Sequence, residues 1–157
     1  MPGPIPAPVD PPPLRVAHPL PSRRYVPGVG PHPKHDPDPQ WELPETADLH
    51  TLLWRGIDLL AHRYPWEAHE TLERAWLGYR PTDPRRATLA MGLIKLAACW
   101  IRVHTGHKAA AALLFEASTH LLDSAGEPAI PTESLLSQTA RFMGGGPWPQ
   151  WPTPTDD

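Results

Sequence analysis

Proline placement constrains the fold of this chain more than any other feature of its sequence. Of the 24 prolines, 15 precede residue 45, whereas only Pro65, Pro81 and Pro84 interrupt the stretch from Ala47 to Glu127. Proline lacks a backbone N–H and breaks the hydrogen-bond ladder of a helix interior or a central strand, but it suits the first turn of a helix. The proline-poor region is therefore predicted to be all-α.

Apolar spacing divides this region into a compact bundle of four to five helices. Apolar residues recur three or four positions apart in five segments, each closed by glycine, proline or a polar turn. The first helix should begin near Thr46, which we expect to cap it, and later helices near Pro65, Pro84, His107 and Thr132. The predicted parts of the chain are a Pro-rich arm, a helical domain and a Gly/Pro/Trp tail, at residues 1–45, 46–142 and 143–157.

The arm and the tail each allow two interpretations. The arm is extended or disordered; it carries apolar residues that could lie against the helices, but a linker is the more common structure for such a composition. The tail, Pro147–Pro152, either folds back so that its tryptophans cover a groove, which we favour, or offers a Pro-rich segment to a partner. Trp54 lies off the main apolar stripe of the first helix and Trp41 precedes that helix, so one or both could cover a second hydrophobic surface, a partner or the arm.

Periodicity also assigns two helix faces. On the first helix, Asp58 and His62 lie opposite the apolar stripe, so we expect them to form a solvated surface pair. The fourth helix is rich in alanine, and one apolar set should face inward: Ala110, Leu113, Leu114, Ala117 and Leu121.

Potentially reactive side chains are concentrated on the second helix, between Trp66 and Trp76. Glu67, His69, Glu70 and Glu73 are the candidate catalytic residues. His69 and Glu73 are four residues apart and therefore lie one above the other on the same helix face. Because this face borders apolar residues, its charged groups need partners.

Two kinds of partner are possible. In the first hypothesis, His69 and Glu73, or His69 and Glu70, bind a divalent metal ion, since an imidazole and a carboxylate one turn apart can share one cation. A third ligand would come from another segment, with these candidates: His104, His107, Glu116 and His120.

In the second hypothesis, the carboxylates belong to a buried polar network with the protein's own cations. Lys95 and Arg102 are seven residues apart on one face of the third helix, and Trp76 borders the acidic face. An ammonium or guanidinium group beside Glu70 and Glu73 would supply the charge that a metal ion otherwise supplies. On this physical ground the network is the favoured hypothesis, and a structural or protein-interaction role follows from it.

Composition narrows the function classes. The net charge of −3 argues against a nucleic-acid binder. The longest apolar run, near Leu93–Ile101, contains Lys95 and is shorter than the roughly 20 residues of a membrane span, and the N-terminus does not resemble a secretory signal. We therefore expect a cytoplasmic protein without a membrane partner. The single cysteine, Cys99, should be a buried apolar residue, and the tryptophan-rich surface favours a homo-oligomer or a protein partner.

The second helix also carries a family signature. Glu67, Ala68, His69, Glu70, Leu72, Glu73 and Trp76 match a Glu-Ala-His-Glu-x-Leu-Glu-x-x-Trp pattern, and Gly92–Ile94 matches a Gly-Leu-Ile segment. The region from Gly56 to Leu122 thus resembles the domain-of-unknown-function family 309. The resemblance implies an all-helical domain and the label of a predicted metal-dependent hydrolase. Members usually have glycine where this chain has Arg63, and often histidine where it has Arg102.

Overall fold

The computed structural model describes residues 2–35 and 40–152. In this part of the chain five α-helices and no named strand are present, which confirms the all-α bundle. The helices are α1 (Leu49–Ala61), α2 (Pro65–Tyr79), α3 (Pro84–His104), α4 (Lys108–Ala125) and α5 (Thr132–Met143). A short 3-10 turn, Pro33–His35, lies in the arm. Residues 1 and 36–39 of the predicted arm and residues 153–157 of the predicted tail lie outside the described part of the chain.

Local chemistry explains where the helices begin. Pro65 and Pro84 occupy the first turns of α2 and α3, as predicted. The cap of α1 is Asp48 rather than Thr46, and its carboxylate accepts a hydrogen bond from the Thr51 N–H at 2.7 Å. Asp48 is better placed because it reaches the third amide of the helix and its negative charge suits the positive helix end.

Helix α3 is the centre of the bundle and packs between α2 and α4. Its Leu93, Leu96 and Ala97 have no exposed surface, and Cys99 is equally buried. Burial raises the pKa of the Cys99 thiol to about 12, so this residue is the inert apolar side chain that was predicted. By length and composition α3 could cross a membrane, but 56% of its apolar window is buried inside the protein, as expected for a core helix.

The buried face of α4 differs from the predicted one. Ala111, Ser118 and Leu122 are buried, whereas Leu113 is 70% exposed. The Ser118 hydroxyl donates a hydrogen bond to the Gly92 carbonyl at 3.0 Å, which fixes the rotation of α4 about its axis. The small residues Gly92 and Ser118 let the helices approach closely, and this contact outweighs the wider apolar stripe.

The arm packs against α1 and α2 through buried charged side chains. The Arg55 guanidinium donates hydrogen bonds to the carbonyls of His18, Pro19 and Trp41. The Asp58 carboxylate accepts from the N–H groups of two arm residues, at distances of 2.9 to 3.0 Å: Arg15 and Val16. The linker interpretation is therefore wrong for the described part of the arm.

The predicted surface pair of Asp58 and His62 is also wrong. Asp58 is only 4% exposed, and the His62 ring lies with Nε2 2.8 Å from the Pro12 carbonyl oxygen. The reason is that the carbonyl groups of a Pro-rich segment have no backbone hydrogen bonds of a helix or sheet. Polar side chains of the neighbouring helix therefore form hydrogen bonds with them. The charged face of α1 is thus an inner surface once the arm covers it.

The tail folds back onto the bundle. Trp148 packs against Phe142 with ring centroids 4.7 Å apart, and Trp151 is buried. The favoured interpretation of the tail is confirmed for the described residues. Trp54 contacts the arm, since the Arg15 guanidinium carbon lies 4.0 Å from its ring centroid. Trp41 belongs to the hydrophobic core.

Candidate metal centre and its pocket

Three side chains of α2 form a compact group of potential metal ligands. His69, Glu70 and Glu73 each offer one nitrogen or oxygen atom, and these atoms lie within 4.8 Å of one another. His69 Nδ1 is 3.4 Å from Glu70 Oε1. The helix produces this grouping because Glu73 lies four positions after His69 and three after Glu70, and residues three or four positions apart share a face.

The donor set fits a divalent cation. Ligands bound at about 2.0 to 2.2 Å to one ion lie roughly 3 to 4 Å apart, and rotation of exposed carboxylates can close the remaining difference. The side chains of His69 and Glu70 are 32% and 45% exposed, and Glu73 is exposed. One imidazole and two carboxylates would leave other coordination positions open to water or a ligand.

A pocket of about 220 Å³ opens beside this group. It lies among the first half of α2, the end of α3, the start of α4 and the arm. His69 and Glu70 belong to its wall, and the other lining residues are Pro27, Trp66, Ala98, Ile101, Arg102, Thr105 and His107. Pockets for drug-sized ligands typically exceed roughly 300 Å³, so this one suits a smaller molecule.

The expected pairing of the acids with Lys95 and Arg102 is not formed. Within residues 2–35 and 40–152, no ion pair of 4.0 Å or less joins either cation to Glu70 or Glu73. Arg102 is exposed and Lys95 is half-buried. An exposed pair gains little over solvation of the separate charges, which explains why the side chains stay apart.

Glu67 lies outside the metal group and faces the arm. It is 1% exposed, and its Oε2 accepts a hydrogen bond from the Tyr25 N–H at 3.1 Å. Its Oε1 is buried and has no hydrogen-bond partner in the described part of the chain. Burial raises the pKa of Glu67 to about 7, although the Tyr25 hydrogen bond and the charge of Arg24 act in the opposite direction. Glu67 is therefore a buried carboxylate that contacts the arm, and no ion pair joins it to Lys95 or Arg102 among the described residues.

The other candidate ligands are not part of the group. His104 Nε2 lies 2.6 Å from the Gly3 carbonyl oxygen, and Glu116 and His120 are exposed on α4. His107 belongs to the pocket wall, where its Nδ1 is 2.9 Å from the Thr105 hydroxyl. Trp76 packs against the core and contacts the Arg80 guanidinium, whose carbon is 4.8 Å from the ring centroid.

Sequence reasoning missed the buried charges that hold the arm. Arg55 and Asp58 are three residues apart on one face, and His62 continues that face one turn later. A polar stripe of this kind beside a segment rich in proline carbonyls was the available signal. Trp66 and Pro27 were also missed as pocket residues, because Pro27 reaches α2 only when the arm is docked.

Comparison with known proteins gives one match. Residues 53–114 match the model of a family described as Domain of unknown function (DUF309). The match supports the assignment of residues 53–114 to family 309. The matched segment includes the metal group, Arg102 and His107, whereas the arm and the tail lie outside it. No curated protein and no solved structure matches the chain.

Proposed function

We propose that this member of family 309 binds a divalent metal ion through His69, Glu70 and Glu73, and that the site supports metal-assisted hydrolysis of a small substrate. The observation that carries the proposal is the convergence of three ligand atoms within 4.8 Å at the edge of an open pocket. The predicted metal-dependent hydrolase label implied by the sequence resemblance names the same reaction class.

The geometry favours this proposal over the network with Lys95 and Arg102. A network would need a cation in contact with Glu70 or Glu73, and the described residues contain no such ion pair. The carboxylates are therefore free to bind an acquired cation. A bound divalent metal would lower the pKa of a coordinated water and so supply a nucleophile near neutral pH. His69 would have to be neutral to act as a ligand.

Metal content and metal titration test the proposal. After purification without chelators, elemental analysis should find about one equivalent of zinc or manganese per chain, and titration calorimetry of the metal-free protein should give one site. The double variant His69→Ala/Glu73→Gln should lose this site, because two of three ligands are removed.

A matched control is available on α4, where Glu116 and His120 are also four residues apart and exposed. The Glu116→Gln/His120→Ala variant should bind metal like the wild type. A wild-type protein without stoichiometric metal, or equal binding in both double variants, would contradict the proposal.

A second candidate function is a helical interaction module that forms a homo-oligomer. The supporting observation is Leu113, which is 70% exposed on α4 in a stretch with exposed Ala109 and Ala112. Exposed apolar groups in one patch are typical of protein-binding surfaces. A second copy of the chain is the simplest partner, because one patch can serve both subunits of a two-fold dimer.

Light scattering after size-exclusion chromatography tests this candidate at two protein concentrations. The wild type should elute as a dimer, and Leu113→Ser should shift it toward the monomer. Leu77→Ser is the control, since Leu77 is 49% exposed on another helix. A monomeric wild type would count against the module. A cytoplasmic location and the absence of nucleic-acid and membrane partners stay predictions.

A further inference from the structure

Arg102 is a cation of the pocket wall that no group of the described chain engages. The pocket brings together Arg102 of α3 with His69 and Glu70 of α2, yet no hydrogen bond or ion pair involves the Arg102 guanidinium in residues 2–35 and 40–152. Its five N–H donors form a planar fork that matches carboxylate and phosphate oxygens. The pocket thus contains an unused anion-binding group beside the proposed metal ligands.

His107 adds a second polar group to the same wall. The Thr105 hydroxyl donates to the Ile101 carbonyl at 2.9 Å and therefore accepts from His107 Nδ1 at 2.9 Å, which orients the ring. Nε2 has no hydrogen bond in the described chain, and it can donate to an anion when the imidazole is protonated. Trp66 and Ile101 supply apolar surface to the same pocket. A few polar groups among apolar side chains are the usual composition of a small-molecule site.

The charge balance of the pocket depends on the metal. Without a cation, the carboxylates of Glu70 and Glu73 would repel an anion that approaches Arg102. A divalent ion at these carboxylates would reverse the local charge, so the pocket would present the metal, Arg102 and His107 to one ligand. This step rests on the proposed function, whereas the exposure of Arg102 to the pocket does not.

We infer that the pocket binds a small oxyanion, a phosphate or a carboxylate, through Arg102 and His107, with any apolar part of the ligand against Trp66. The volume of about 220 Å³ corresponds to about seven waters at their liquid volume of ~30 Å³ each. The ligand is therefore a small molecule or the end of a larger one. In the proposed hydrolysis, Arg102 is a substrate-binding residue.

The inference is tested by calorimetric titration of the full chain with inorganic phosphate, in the absence and presence of Mn²⁺. Parallel titrations with benzoate show whether the pocket prefers a phosphate or a carboxylate. Phosphate or benzoate should bind more tightly to the Mn²⁺-loaded protein. By thermodynamic reciprocity, the same anion should tighten Mn²⁺ binding by an equal factor.

Arg102→Met should weaken anion binding by roughly tenfold to a hundredfold, as expected for a lost charge-assisted contact. Lys95→Met is the matched control, since it removes one positive charge from the same helix face outside the pocket lining. It should change the affinity by less than about twofold. Both side chains have solvent access, and equal thermal midpoints of the two variants will verify that folding is retained.

The two proposals fail in different ways. If the protein binds Mn²⁺ and Arg102→Met binds the anion as tightly as the wild type, the oxyanion site is overturned and the metal site is still supported. Absence of Mn²⁺ binding in the wild type overturns the metal site alone. In that case the anion titrations of the metal-free protein test the oxyanion site. Anion binding that is lost in Arg102→Met supports this site, and binding that is absent from the wild type or unchanged in the variant overturns it.

Discussion

Two signature residues on α2, Glu67 and His69, have opposite environments, and the helix geometry explains why. Glu67 and His69 are two positions apart, so their side chains point to different sides of α2. Glu67 is buried against Tyr25 of the arm, whereas His69 borders the open pocket. The signature therefore combines a buried structural carboxylate with exposed candidate ligands.

Glu67 should make the stability of the fold depend on pH. The folded protein holds this proton up to about pH 7, while the unfolded chain releases it near pH 4.5. Glu67 thus contributes stability that is complete below about pH 4.5 and is lost as pH rises through about 7. The upper limit of this contribution is about 3 kcal/mol.

The Glu67→Gln variant isolates this contribution because its amide carbonyl can still accept from Tyr25 but cannot ionise. Relative to wild type, its free energy of unfolding should rise between pH 4.5 and 7 and then stay level. Denaturant unfolding in EDTA at a series of pH values measures the difference. Glu116→Gln, on exposed α4, is the control. A difference between Glu67→Gln and wild type that does not change with pH would contradict the assignment.

At the level of the elements, the α3–α4 contact depends on a glycine. A Cβ atom on Gly92 would lie 2.7 Å from a Leu122 methyl carbon and 3.3 Å from Leu121 Cβ. The Gly92 carbonyl also accepts the Ser118 hydroxyl at 3.0 Å. The close approach fixes α4 relative to α3 and thereby the position of His107 at the pocket.

Gly92→Val should destabilise the protein by about 1 to 3 kcal/mol, because the added carbons would collide with Leu121 and Leu122 and push α4 away from α3. Thermal or denaturant unfolding gives the value. Ala109→Val is the control, since Ala109 is exposed in the first turn of α4 and the change carries the same β-branched side chain. Equal stability losses in the two variants would show that the α3–α4 spacing tolerates the added volume.

At the level of the whole molecule, Arg63 joins both chain ends to the bundle. Its φ is +62°, in the left-handed region that favours glycine. Two hydrogen bonds close the end of α1 here, from the Arg63 N–H to the Leu60 carbonyl and from the Tyr64 N–H to the Leu59 carbonyl. Its guanidinium donates to five acceptors in the arm and the tail: the carbonyls of Pro6, Ala7, Trp148 and Pro149 and the Gln150 side chain. This arginine therefore offsets its backbone strain with contacts that a glycine would not make.

Arg63→Gly should release the arm and the tail together. Glycine removes the strain of the positive φ, which should stabilise the fold by about 1 kcal/mol. The lost hydrogen bonds should cost more than this, so we expect the free energy of unfolding to fall by about 1 to 3 kcal/mol. Hydrogen exchange should accelerate at the amides of both segments, including Val9 and Gln150. The control is Arg80→Ala, an exposed arginine at the end of α2. Release of only one chain end, or of neither, would contradict the joint role of Arg63.

The sequence by itself determined the helices and the ligand cluster. Proline, glycine and apolar spacing act within one or two helical turns, so α2 and α3 begin where Pro65 and Pro84 predicted, and the grouping of His69 with Glu73 follows from their spacing alone.

Only the tertiary structure decided which polar groups are buried and what they contact. Asp58 and Arg55 have the spacing of a solvated face, and nothing local distinguishes that face from one covered by a distant arm. The separation of Arg102 from Glu70 likewise depends on how α2 and α3 pack, as does the entry of Pro27 into the pocket wall. These contacts join residues far apart in the chain, so their free energy depends on the assembled bundle rather than on any single segment.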